Sequence, residues 1–402
     1  MRRPLNSSSH AATAEGRYTP FMRSLVLSAT LLFSLGASAQ WQLQDSHTTA
    51  DLRGIHGIGN GIAWASGTNG TVLRTVDEGK TWQPCTIPPG ADKLDFRGIQ
   101  AFDADTAIVM SSGKGDLSRL YKTTDACKSW KLVFTNPDAE GFWDAMQFVR
   151  SDVLADSCFG VLVGDPVHAR FPVFLTYDCG NKWEPQIKEF PVPLPGEGLF
   201  AASNSSLILD GTQKRAFVTG GTSGARILQY LMVADDTRGP VDFEAKTLPG
   251  QKKFVFMPRH MQADSLPWGH HLDSSGAFAI SSRRSDRYVE DVVIVGGDYR
   301  SPNEPGYAVT GFLGGSAANW RVATTPPHGY RSSVAYSPMH QTWITVGPNG
   351  TDISKDDGRN WQALRPNPQG TPEEDQHWNA LSLPFVVGPR GRIGILRPDA
   401  LK

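Results

Sequence analysis

The sequence predicts an all-β protein, a β-propeller of seven four-stranded blades closed into a ring by its own N-terminal strand. Three observations predict it. One eight-residue phrase, Ser/Thr-x-Asp-x-Gly-x-x-Trp, recurs at 75–82, 123–130, 176–183 and 354–361. Asp77 and Trp82, Asp125 and Trp130, Asp178 and Trp183, and Asp356 and Trp361 thus hold equivalent places. The tryptophans also fall at blade-sized intervals: 48 residues from Trp82 to Trp130, 53 from Trp130 to Trp183 and 41 from Trp320 to Trp361. Self-similarity at such a period marks a repeat architecture. Finally, the two ends of the chain look like complementary parts of one repeat.

Residues 1–39 read as an export signal rather than as fold. Met22-Arg23, the apolar stretch 25–35 and Ala37-Ser38-Ala39 supply the basic, apolar and small-residue parts of a cleavable signal peptide. Met22 is read as the start of translation, with cleavage near Ala39-Gln40. The apolar stretch is too short to span a bilayer, and Arg2-Arg3 lies too far upstream for a twin-arginine signal. The mature chain is therefore expected to be secreted or periplasmic, with no membrane span. Removing four Arg and one Glu takes the formal charge from −1 to −4. A mildly acidic, mixed-charge surface does not point to nucleic acid. The four cysteines, Cys85, Cys127, Cys158 and Cys179, would lie in an oxidising compartment, so one or two disulfides are expected, of unspecified pairing.

Each phrase reads as a hairpin turn. The Asp carboxylate can accept N–H groups a few residues on, Gly supplies positive φ, and Trp anchors the next strand. The second copy carries Cys127 where Gly is expected, so its turn is expected to be strained or reshaped. The 137 residues from Trp183 to Trp320 hold two long blades, marked by the runs 216–228 and 292–300. Residues 244–272 are read as an insertion between blades four and five. Trp41-Gln42-Leu43-Gln44 matches the strand after a phrase, and 386–396 matches the strands before one. The N-terminal strand should complete blade seven and leave no free edge.

Functional residues are sought where innermost strands begin and where second and third strands connect, since both would open on one face. Aligned starts give Leu52-Arg53, Phe96-Arg97, Trp143-Asp144, Tyr330-Arg331 and Trp378-Asn379, with Glu197 as a shifted counterpart in blade four. The connections carry Lys114, Asp165, His168, Arg170, Asp298, Tyr299, Arg300 and Arg390. Guanidinium groups beside aromatics suit carboxylates, phosphates or protein side chains; the same residues could instead pair with each other between blades. A glycosidase would need two separated carboxylates, for which Asp144, Asp165 and Glu197 are the candidates. Met257, His260, Met261, His270 and His271 are copper-compatible types without defined ligand spacing, so no metal is expected. No dinucleotide-binding glycine fingerprint occurs, and no cofactor is expected.

On its four phrases the chain resembles the Asp-box (BNR) repeat of sialidases, sortilin-type receptors, some glycoside hydrolases and photosystem II assembly factors. In those families the box closes the hairpin between the third and fourth strands of a blade. Across its mature length the chain is most similar to the photosystem II stability/assembly factor family and its bacterial relatives. That similarity rests on the box form, the Arg-Gly-Ile starts, Ala63-Trp64-Ala-Ser-Gly67 and seven-blade closure. The resemblance implies an extracytoplasmic, non-catalytic scaffold that binds a protein or peptide, with the family's Arg-rich face falling on Arg53, Arg97 and Arg331. The long blades three to five depart from the family pattern. The expected protein is a monomer with a protein or peptide partner, and the alternative is a glycan-active hydrolase.

Overall fold

Apolar runs such as Ala107–Ser111 and Cys158–Gly164 are buried at every position, as central strands covered on both faces must be. In a computed structural model, which describes residues 40–150, 158–186, 191–210, 214–233, 257–284, 290–314, 319–364 and 375–401, these runs are the second strands of their blades. Blade one comprises Leu52–Gly59, Ile62–Gly67, Val72–Thr75 and Gln83–Pro84, and blade two Phe96–Ala101, Ala107–Ser111, Arg119–Thr123 and Lys131–Thr135. Blade three comprises Trp143–Arg150, Cys158–Gly164, Val173–Thr176 and Glu184–Pro185. Blade four follows with Leu207–Asp210, Lys214–Val218, Arg226–Val233 and Met257–Ser265. Blade five is Ser275–Arg284, Glu290–Asp298, Tyr307–Phe312 and Arg321–Val322, and blade six is Ser333–Ser337, Thr342–Gly347, Gly350–Ser354 and Gln362–Ala363.

Blade seven is Ala380–Ser382, Phe385–Val387 and Ile393–Leu396, completed by the N-terminal strand Trp41–Gln44. Trp41 pairs with Leu396 and Gln44 with Ile393, antiparallel. The ring therefore has seven blades and closes with both ends of the chain in one sheet. The predicted signal segment, 1–39, lies outside the described residues. Among the described residues no helix is long and apolar enough to cross a membrane.

The four repeated phrases share one geometry. In each, the first hydroxyl donates to the Asp Oδ1 at 2.8–2.9 Å and accepts the N–H four residues on at 2.9–3.1 Å. The same Oδ1 accepts the N–H of the residue before Trp at 2.9–3.0 Å. Two consecutive left-handed residues turn the chain, Glu78 and Gly79 at φ 65° and 80° in the first copy. Cys127 keeps that conformation at φ 59° without being glycine, which costs about 1 kcal/mol or more. Its sulfur bonds Cys85, joining the outer edge of blade one to the turn of blade two, while Cys158–Cys179 closes blade three on itself.

Each phrase tryptophan packs against the preceding blade. Trp82 meets Phe385 edge-on at 5.7 Å, Trp130 shares a cluster with Trp64, Trp183 with Ile108 and Met110, and Trp361 with Val293 and Val295. An indole buries some 200 Å², a driving force of roughly 5 kcal/mol per blade interface. The expected insertion 244–272 needs correction: Met257–Ser265 is the outermost strand of blade four, paired along Arg226–Val233. Residues 234–256 lie outside the described residues. An outer strand of this kind carries no local repeat signal and is recognised only through the partner it pairs with.

Candidate functional site

The starts of the innermost strands and the connections between second and third strands share the upper face of the ring. The four phrases and the first hairpin of each blade lie on the lower face. Arg53, Arg97 and Asp144 owe their common orientation to a β-bulge, since the pairing register slips between Leu52 and Gly54, Phe96 and Gly98, and Trp143 and Ala145. A bulge takes one side chain out of the ladder and re-aims it. Blade five repeats the device around Phe278. Sequence comparison missed that copy because the bulged residue is not charged.

Arg53 and Arg97 share one carboxylate. Asp95 contacts Arg53 Nε at 3.2 Å and accepts a hydrogen bond from Arg97 Nε at 2.8 Å. Both arginine side chains keep about three-tenths of their surface, 29% and 28%, in contact with solvent. The Arg53 contact is an ion pair without hydrogen-bond geometry, so that guanidinium retains donor capacity. Arg97 Nη1 also donates to the Ala201 carbonyl at 3.2 Å.

Asp144 and Asp165 sit together beside Arg97. Burial, then the neighbouring Asp165 charge, push the Asp144 carboxyl well above its ordinary value, against the opposing pull of Arg97. Its Oδ2 has no hydrogen-bond partner among the described residues. Burial raises Asp165 to about 6, partly offset by the Leu199 N–H that its Oδ1 accepts at 2.8 Å. The two carboxyls were candidates for a catalytic pair and the structure does bring them together, but Asp144 is only 1% exposed.

Beside this pair runs the segment leading into blade four, whose Leu199 N–H binds Asp165. Residues 199–206 cross the axis of the ring. Asn204 exchanges bonds with the Met146 backbone at 2.8 and 2.9 Å, and Ser203 Oγ donates to the Ser332 carbonyl at 2.6 Å. Ser205 accepts the Ile280 N–H through its carbonyl at 2.8 Å. With Arg97 on Ala201, the segment thus ties blades two, three, five and six together from within. On it Phe200 stacks on Phe278 at 3.9 Å, and Tyr330 meets Phe278 edge-on at 4.7 Å. Tyr299, 45% exposed, stands edge-on to Phe200 and Phe278, with Arg300 over its ring at 5.7 Å.

Three of the aligned residues belong to the fold rather than to this surface. Arg331 is fully buried against Asp352, donating to its Oδ2 from Nε at 2.7 Å and from Nη2, and also bonds the Tyr330 carbonyl and Asn349. Burial works to raise Asp352, but bonds from His328 and Arg331 outweigh it and hold the carboxyl below its ordinary value. Glu197 takes Arg226 through both oxygens, at 2.8 and 2.5 Å, and accepts Thr219 and the Leu194 N–H as well. Every lone-pair direction of that carboxylate has a donor, which removes it as a hydrolytic candidate. Asn379 donates to the Leu52 carbonyl at 2.8 Å, stitching blade seven to blade one.

Sequence carried a signal for the first two pairs. Asp352 and Arg226 interrupt apolar strands, and a charge there needs a partner. On the rim, Lys114 pairs with Glu140 at 2.7 Å, His168 with Asp138 at 3.0 Å and Arg300 with Asp273 at 2.9 Å. Asp298 Oδ1 caps the Arg300 N–H at 2.9 Å. Arg170 and Arg390 project their side chains into solvent, Arg390 from a left-handed turn (φ 56°) whose N–H is held by Asp51. His270, from the set considered for copper, packs edge-on against Tyr307 at 5.1 Å.

No protein-family model matches the chain, and no curated protein matches it. Among solved structures it is similar to YCF48 bound to D1 peptide, with a TM-score of 0.54 and 15% identity over 90% of this chain and 97% of that one. It is also similar to YCF48 from Cyanidioschyzon merolae, with a TM-score of 0.52 and 16% identity over 90% of this chain and 100% of the other. At such identities what the chain shares with these proteins is the fold, a β-propeller running nearly end to end in both.

Proposed function

We propose that this protein is an extracytoplasmic, non-catalytic propeller that binds a peptide or protein segment on its upper face, at the channel mouth, in the manner of an assembly factor. The observation that carries this reading is the pair Arg53 and Arg97, partly exposed around one Asp95 and linked through Ala201 and Phe200 to the exposed Tyr299. Two guanidinium groups on one carboxylate leave unfilled donors, and a partner carboxylate can take them bidentately. Tyr299 adds a rigid aromatic surface, the kind of group that anchors interfaces. The solved relative bound to a D1 peptide supports a peptide as partner, and both disulfides fit an oxidising compartment.

The test is an array of acidic peptides probed with wild-type protein and with Arg53→Glu/Arg97→Glu. Selective binding that the double variant loses, at unchanged melting temperature, supports the reading; binding that survives charge reversal contradicts it. The hydrolase reading keeps one observation in its favour, the raised Asp144–Asp165 pair. Turnover of aryl glycosides that disappears in Asp144→Asn would establish it over the binding reading.

A further inference from the structure

The lower face holds a cavity of about 560 Å³ that none of the above uses. It opens beside the ends of the innermost strands of blades one to three. Arg97 and Phe102 lie five residues apart along one strand, so the cavity is some 17 Å from the upper-face arginines. The crossing segment touches these strands at Gly98 and Met146, and the cavity begins two residues further on, at Gln100 and Phe148. The volume suits a small ligand.

Its lining mixes apolar and polar groups. Phe102 and Phe148 meet edge-to-face at 5.1 Å, with Ile58 and Ile62 alongside. Asp103 directs Oδ1 to the N–H groups of its own turn, Asp105 and Thr106, at 2.8 and 2.7 Å. Lys122, whose Nζ lies 6.0 Å over the Phe102 ring, donates to the Cys179 carbonyl and to Asn181. His56 stays neutral, because burial lowers its pKa to about 4.

The histidine fixes the orientation of the amide beside it. Nδ1 accepts the Ala101 N–H at 3.2 Å, so the neutral ring carries its proton on Nε2, which faces the Gln100 amide at 3.2 Å. Gln100 must then turn its oxygen to the ring, giving up a long 3.4 Å contact with the Ala101 carbonyl. Its NH₂ is left at the other end of the amide, where no partner is recorded among the described residues. The cavity therefore combines an aromatic wall, the Gln100 amide, the Asn60 amide at its rim and the exposed Asp103 carboxylate at its edge.

We propose that this cavity binds a pyranose ring of a carbohydrate, its C–H face against Phe102 and a ring-edge hydroxyl accepting from Gln100. The site is separate from the upper-face surface and does not depend on its reading. Saturation-transfer NMR and calorimetry of the full protein with N-acetylglucosamine, methyl glucoside and methyl galactoside test it, with glucuronate, glucosamine and benzyl alcohol as charged and ring-only controls. At least one neutral pyranoside should bind with a dissociation constant on the order of a millimolar. Phe102→Ala or Gln100→Leu should weaken it about tenfold, the loss expected of one good contact, while Lys114→Ala, on the opposite rim, leaves it unchanged. Asn60→Gly, at a hairpin tip with φ 51°, preserves the backbone and should weaken binding severalfold even if the core variants fold poorly. Absence of saturation transfer from every neutral sugar, equal binding by benzyl alcohol, or wild-type affinity in Gln100→Leu and Asn60→Gly overturns the proposal.

Discussion

Replacing Arg331 by alanine separates an arginine that builds the ring from those that face outward. Arg331 and Asp352 are 0% and 1% exposed at their side chains, so removing the guanidinium strands a carboxylate where water cannot reach it. Breaking such a pair from one side costs about 3–5 kcal/mol. For a domain of this size that corresponds to a fall in melting temperature of roughly 4–7 °C. Arg97→Ala removes a pair whose partners are 28% and 23% exposed, worth about 1 kcal/mol or less. The double variant Arg331→Met/Asp352→Asn should recover most of the loss, because it leaves no stranded charge.

The sign with pH follows from the depressed Asp352 carboxyl. Its contribution is complete above the ordinary carboxylate range and is lost as pH falls through the folded value, so the Arg331→Ala penalty should be largest near neutrality and shrink in acid. Calorimetric or near-ultraviolet circular-dichroism melts at neutral and acidic pH are the assay. An Arg331→Ala melt within a degree or two of wild type, or one no worse than Arg97→Ala, would refute the reasoning.

Two further perturbations probe the ring itself. Cys85→Ser/Cys127→Ser opens a loop of 42 residues and should cost about 4 kcal/mol by loop entropy; Cys85→Ser/Cys127→Gly should recover about 1 kcal/mol of it, since glycine relieves the left-handed backbone. Denaturant midpoints check both, and equal midpoints for the two variants would sink the strain argument. His56, lowered to about 4, makes the native state bind fewer protons than the unfolded one below about pH 6.5, so its contribution falls on acidification, whereas Asp165 and Asp375, raised to about 6 by burial, contribute in the opposite sense. His56→Gln should therefore gain stability from pH 6.5 to 4.5 relative to wild type, and superimposable pH profiles would contradict this.

The ring was legible because its signals are local. Four phrases fixed four hairpins, their spacing gave the blade size, and the likeness of 41–44 and 386–396 to parts of a repeat foretold the closure now seen in the Trp41–Leu396 pairing. The upper face was only half legible. Alignment placed Arg53, Arg97 and Asp144 together, and a shared bulge explains why. It grouped Arg331 with them although its guanidinium turns inward to Asp352, a partner 21 residues away in the next-but-one strand. Glu197 looks like a mouth residue in sequence because Arg226, 29 residues on, is brought to it only by the pairing of Glu197–Gly198 with Gly220–Gly221. The crossing of the axis by 199–206 left no periodic trace, since short polar residues such as Ser203 and Asn204 read as an ordinary loop until the strands they bond are assembled.

The most direct test of the upper-face account is a hydrogen-exchange footprint of the protein with the best peptide from the acidic array. Protection should be confined to residues 52–54, 95–98 and 298–301, with the four phrase turns at 75–82, 123–130, 176–183 and 354–361 unchanged. Protection centred on those turns, or around Phe102 and Gln100 on the lower face, would contradict it.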